Sequence, residues 1–170
     1  MLTNSFWATQ LKYRAMNESS SINGSHCPSC RFLGLGSAIK IYNPQHESQA
    51  IYGTTIHETA HASHWNMDSW HYNHCDDVVA ESWARGVQWE LTRMIYTGYQ
   101  PSYFDPYTGV VQDMVDGIGG YDQVEGYTIR QLEDALMGER YWQNWRTDIQ
   151  NTYTNATENN LESLFTYWHP

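Results

Sequence analysis

Apolar positions along this chain recur with a helical spacing in most segments and with a strand-like alternation in one. Phe6, Trp7, Leu11 and Met16 predict a short helix, and the polar run from Asn17 to His26, with Asn23-Gly24 inside it, predicts a loop. Ala38 to Tyr42 alternate and favour β structure, between Gly34-Leu35-Gly36 and Asn43-Pro44, which predicts a strand at a sheet edge. After Gly53 a helix is expected from a Thr cap at Thr54 through Trp65, with small residues that suit deep packing. A second helix is expected from Asp76 or Asp77 to about Tyr96, with Val79, Trp83, Val87, Leu91 and Met94 on its apolar stripe and Gly98 as its stop. Beyond the Pro- and Tyr-rich loop Pro101 to Tyr107, a short helix near Gly109 to Val115 is followed by a longer one from Thr128. There Thr128 and Gln131 have capping-box spacing, and Ile129, Leu132, Leu136 and Tyr141 form a face. The pattern predicts an α+β, mostly helical domain with a small sheet in its first third.

At 170 residues and 41% hydrophobic content, one domain over residues 1–170 is expected, with a core that needs no cross-link to hold it. It is either a whole protein or a fragment of a longer chain. Nine Lys and Arg against 19 Asp and Glu leave a net charge of -10, which argues against nucleic acid or an anionic membrane as partner. No apolar run reaches the ~18 to 20 residues of a membrane span, and the first residues lack a basic stretch followed by an apolar one. Eight Trp, thirteen Tyr and few Lys are associated with secreted or periplasmic proteins, so an extracytoplasmic location is expected.

The chemistry lies in His57-Glu58-Thr59-Ala60-His61. Two imidazoles four residues apart lie on one helix face, about 5 to 6 Å between Cβ atoms, and both can reach one zinc ion. Glu58, turned about 100° from His57, can lean toward the position of an attacking water and act as its base. A catalytic zinc takes a third protein ligand. Glu81 is the candidate, because antiparallel packing of the next helix, across a loop of about ten residues, brings its carboxylate to the metal. His64, nearly on the face of His61, is read as a packing or supporting residue rather than a ligand.

With these residues the chain resembles the gluzincin class of zinc metallopeptidases, and the gap from His61 to Glu81 is that of its thermolysin-like members. The stretch from Thr54 to Trp65, with Glu81-Ser-Trp-Ala-Arg-Gly86, is also similar to a group of uncharacterised bacteroidete-type metallopeptidases. The resemblance covers residues 54–90. It implies a zincin-like fold, one Zn2+, Glu58 as base and proton shuttle, and hydrolysis of a peptide or protein substrate. Counting without gaps, the family's oxyanion-stabilising tyrosine falls on Tyr72. The family's Asp four residues past the ligand glutamate is replaced by Arg85, so another acceptor must orient a ligand imidazole, with Asp113 or Asp116 as candidates. No counterpart of the family's downstream catalytic histidine is evident. A metzincin pattern fails, since the position of its third histidine is Met67 and position 64 is not Gly.

Cys27, Cys30 and Cys75 with His74 would make a structural zinc site if brought together; a local disulfide or free thiols are the alternatives. The leading expectation is a zinc peptidase whose substrate lies along the strand near residues 38–43. The alternative is a non-catalytic, zinc-containing binding domain.

Overall fold

The computed structural model describes residues 11–30, 38–43, 45–116 and 123–170. The chain is mostly helical, with a three-stranded sheet early on. Strands β1 (Tyr13–Ala15), β2 (Gly24–His26) and β3 (Ile39–Ile41) run in the order β1-β3-β2, with β1 parallel and β2 antiparallel to β3. Phe6, Trp7 and the Gly34–Gly36 stretch lie outside the described residues, but the later part of the predicted first helix is strand. There Ile39 N–H donates to Lys12 O and Met16 N–H to Ile41 O, so pairing with β3 overrides the helical spacing. Residues 24–26 form a strand rather than a loop for the same reason. The predicted strand is present as β3, but it is the central strand of the sheet and not an edge. A peptide therefore has no free backbone to pair with there.

Helix α1 (Ser48–Met67) begins six residues before the predicted cap. Thr55 is interior, its hydroxyl donating to Ile51 O, and Thr59 repeats the bond to Thr55 O. Gly53 does not mark a boundary. A Cβ there would stand 2.7 Å from the Tyr99 hydroxyl and 3.0 Å from Gln88 Nε2, so this glycine permits close packing inside the helix. One turn, α2 (Ser69–Tyr72), is capped by Asp68, whose carboxylate accepts from Trp70 N and His71 N.

Helix α3 (Asp77–Arg93) returns against α1. Gly53 abuts Gln88 while His61 meets Glu81, so the two helices are antiparallel. Val79 and Trp83 are buried as the stripe predicts, but Leu91 and Met94 are exposed; Trp89 and Thr92 are buried in the last turn instead. Helix α4 (Val110–Asp116) crosses α3 at Gly86. Helix α5 (Ile129–Leu136) carries the reciprocal Thr128–Gln131 capping box but ends before Tyr141, after which Gly138 takes a left-handed φ of 87°. Two helices not anticipated from the pattern, α6 (Trp142–Thr152) and α7 (Leu161–Trp168), complete the main core.

That core gathers Val79, Trp83, Met114, Leu132, Trp145 and Phe165. Its buried indoles are satisfied, Trp145 Nε1 donating to Leu132 O and Trp142 Nε1 to Phe165 O. A smaller cluster, Ile39, Ile41 and Ala62 with Ile51 against it, joins the sheet to α1. Helix α1 is thus held between the sheet and α3, which explains its small residues and its lack of one apolar stripe.

A side chain at position 86 would occupy the space of Val111. Gly86→Ala gains about 1 kcal/mol of helix propensity but loses about 1 to 3 kcal/mol to overpacking. Urea unfolding of this variant is expected to show net destabilisation, with partial recovery when Val111→Ala is added.

Candidate metal centre

His57 and His61 project from successive turns of α1 toward α3, where Glu81 occupies the second turn. His57 Nε2 lies 3.0 Å and His61 Nε2 3.2 Å from the same Glu81 oxygen, Oε2, and the two Nε2 atoms are 3.1 Å apart. Both imidazoles are buried and Glu81 is partly exposed. Hydrogen bonding explains this triangle poorly: if each Nε2 carries a proton for Glu81, the two protons oppose one another. A cation at the centre satisfies all three lone pairs. Bonds of about 2.0 to 2.1 Å to a tetrahedral ion put the donor atoms about 3.3 Å apart, close to the observed edges. His57, His61 and Glu81 form a group that could hold a metal ion.

Electrostatics follow from burial and crowding. Burial lowers the His57 pKa to about 4 against the hydrogen bond that its ring donates to Glu81, so the ring is neutral near pH 7. Burial alone would raise Glu81, but the hydrogen bonds and charges of His57 and His61 hold it well below the usual carboxylate range. Glu58, on the turn between the two histidines, is raised to about 7 by burial; the Glu81 charge adds to this, while His61 and the His26 backbone N–H oppose it. A carboxyl poised near neutrality can take and return a proton.

Glu58 rests on β2. A Cβ on Gly24 would stand 2.7 Å from Glu58 Cγ and from its Oε1, and 2.8 Å from Thr54 Cγ2. The glycine therefore lets the strand lie directly against the Glu58 carboxyl. Ser25 pairs with Lys40 in the ladder, so Gly24 and His26 turn their backbone groups away from β3. The sheet edge beside the site is therefore β2.

Two tyrosines flank the triad. The Asp68-capped turn carries the Tyr72 ring back to 6.1 Å from His61 and 5.0 Å from His64, centroid to centroid. Burial, with the charges of Glu81 and Glu58, pushes the Tyr72 phenol above its ordinary range and keeps it protonated. Tyr107 was not singled out from the sequence. Its ring lies 5.9 Å from His57 and 4.5 Å beneath the Arg85 guanidinium. Ser82 holds it there by donating to Pro106 O and bonding the Thr108 hydroxyl at 2.7 Å. No spacing rule reaches from α3 to this loop. His26 is a second omission: it reads as the end of the polar loop, yet its ring is 6.2 Å from that of Tyr72.

Other expectations resolve differently. His64 is buried against Tyr72 and is not in the triad. Neither Asp113 nor Asp116 orients a ligand imidazole, since the Nδ1 atoms of His57 and His61 have no hydrogen-bond partner among the described residues. Asp113 instead accepts from Trp168 Nε1 at 2.7 Å, across the main core. Cys27 and Cys30 form a disulfide and Cys75 is a free thiol. His74 Nδ1 bonds Trp70 O, so the three cysteines and His74 make no metal site.

Comparison with known proteins found no matching family model, no matching curated protein and no matching solved structure. The resemblance therefore rests on residues 54–90. No helix of the described residues is long and apolar enough to cross a membrane.

Burial lowers the His64 pKa from 6.5 to about 4. Between those values the unfolded chain binds the proton and the folded chain does not, so stability falls as pH drops through this window. Melting in chelator from pH 7 to 4 is expected to show a shallower loss for His64→Gln than for the wild type; equal slopes would remove His64 as a cause.

Proposed function

We propose that this chain is a zinc-dependent peptidase of the gluzincin type. The observation that carries the reading is the convergence of His57 Nε2, His61 Nε2 and Glu81 Oε2 within 3.2 Å of one another, with the raised carboxyl of Glu58 on the intervening turn. Two nitrogens and one carboxylate oxygen suit zinc, and three protein ligands leave a position for water or substrate. His57, His61 and Glu81 would hold the ion, whose chemistry would be Lewis acidity toward the scissile carbonyl and the attacking water. Glu58 accepts that water's proton and returns it to the leaving amine. Tyr72, protonated beside His61, is the donor toward the developing oxyanion, and Tyr107 is an alternative from the opposite side. The peptide lies along β2, pairing with the outward backbone of Gly24, which brings its carbonyl past Glu58.

The Cys27–Cys30 disulfide supports an oxidising, extracytoplasmic location. The second reading, a zinc-containing binding domain without catalysis, is favoured by the unpartnered Nδ1 atoms of His57 and His61, because metal-binding imidazoles in enzymes are normally fixed through that atom.

Elemental analysis is expected to find about one zinc per wild-type chain, as the three-donor site requires, and its loss in His61→Ala and Glu81→Ala. Glu58→Gln is expected to keep the metal while slowing peptide-library hydrolysis about 10²- to 10⁴-fold, the worth of a general base. Unchanged hydrolysis in Glu58→Gln rejects the mechanism, and zinc without hydrolysis in the wild type favours the binding domain.

A further inference from the structure

One turn beyond the ligand Glu81, α3 places Arg85 in a cleft of about 330 Å³ that Asn23, Thr54, Gln88, Tyr99 and Phe104 also line. Thr54 is one helical turn from Glu58 and touches the same face of β2, so this cleft adjoins the reaction centre. Arg85 is largely withdrawn from water and forms no ion pair with any described residue. Its guanidinium is nevertheless held in place. Nη1 donates to Gln88 Oε1 at 3.0 Å, Gln88 Nε2 donates in turn to the Tyr99 hydroxyl at 2.5 Å, and the plane lies over Tyr107. Nη1 is the only guanidinium nitrogen with an acceptor among the described residues, and Nε is buried without one. A fixed, desolvated cation with donors to spare is costly unless an anion completes it, and the planar fork of arginine matches a carboxylate. Apart from Glu47, exposed on the rim, the cleft offers no negative charge of its own.

We propose that Arg85 forms a carboxylate-binding subsite, selecting peptides with a free carboxylate one or two residues from the bond that is cleaved. The proposal rests on the peptidase reading for its substrate but not for its binding chemistry. Side chains one turn apart are separated by about 5 to 6 Å, and an extended peptide advances about 3.3 to 3.6 Å per residue, which sets the reach of one or two residues. Both a chain-terminal carboxylate and an Asp or Glu side chain present the required group. The protein's net charge of -10 does not exclude such a ligand, because a local cation in a low-dielectric cleft outweighs a screened surface field at that range.

The test uses the zinc-loaded chain and a pentapeptide library in three forms: free acids, neutral amides, and amides carrying Asp or Glu. Wild type is expected to show kcat/KM about 10- to 100-fold higher for carboxylate-bearing members, the worth of one charge-assisted contact. Preference confined to free acids identifies the chain terminus, and preference extending to acidic amides identifies side chains. In Arg85→Gln the ratio of acid to amide falls to about one through KM, and Arg85→Lys restores part of it. A ratio that survives in Arg85→Gln, or acid and amide slowed equally, overturns the subsite and leaves Arg85 as a brace for Tyr107. Calorimetric titration of zinc-loaded Glu58→Gln with one free-acid pentapeptide and its amide separates the two readings. Tighter binding of the acid, abolished by adding Arg85→Gln, upholds the subsite even if no wild-type hydrolysis is found; equal binding rejects it. Melting curves of both Arg85 variants confirm that they are folded.

Discussion

Everything at the candidate site depends on how closely α1 can approach α3. The donor atoms of His57, His61 and Glu81 meet because the two helices are antiparallel and α1 has a glycine where they would otherwise collide: Gly53, whose Cβ would stand 3.0 Å from Gln88 Nε2 on α3. The histidines four residues apart share one face of α1, and the short connection through α2 sets the register that puts Glu81 opposite both. A shift of one residue along α3 would turn Glu81 by about 100° away from them. The same approach buries the imidazoles, while β2, packed on the other side of α1, buries Glu58 and raises it.

The packing also bears on Arg85, at the position where the gluzincins that residues 54–90 resemble carry an aspartate. At position 85 a carboxylate would stand beside Glu81 in the same partly desolvated wall. Arginine instead adds positive charge near the ligand carboxylate and near Tyr107, and burial lowers its own pKa against those neighbours. The imidazole-orienting task that an aspartate would perform is left undone among the described residues.

The parts of the site legible in the sequence are those written within one helix or across one hairpin. His57, Glu58 and His61 follow from helical period alone, and Glu81 from the loop length between two helices. Tyr72 came from the resemblance rather than from spacing; its ring stands beside His61 because the Asp68-capped turn folds it back. Gly24, His26 and Tyr107 were not legible. Each reaches the site through contacts with residues more than 20 positions away, and nothing in local spacing marks them. The fold shows the same division. The Thr128 capping box was readable from four residues, whereas β1 and β2 exist only because β3 pairs with them. Gly53 looked like a helix boundary because the close neighbours that require it, Tyr99 and Gln88, come from distant parts of the chain.

The two hydrophobic clusters are unequal, and the site straddles them. Glu81 stands on a helix rooted in the large core, while Glu58 faces β2, in a sheet whose buried apolar contact with α1 among the described residues is the small group of Ile39, Ile41, Ala62 and Ile51. Few buried contacts make for low local opening energy, so amide hydrogens of the sheet should exchange with solvent by partial unfolding well before those of α3. Warming would then uncover the Glu58 carboxyl while His57, His61 and Glu81 stayed assembled, and the protein would lose the wall over that carboxyl before it lost the triad.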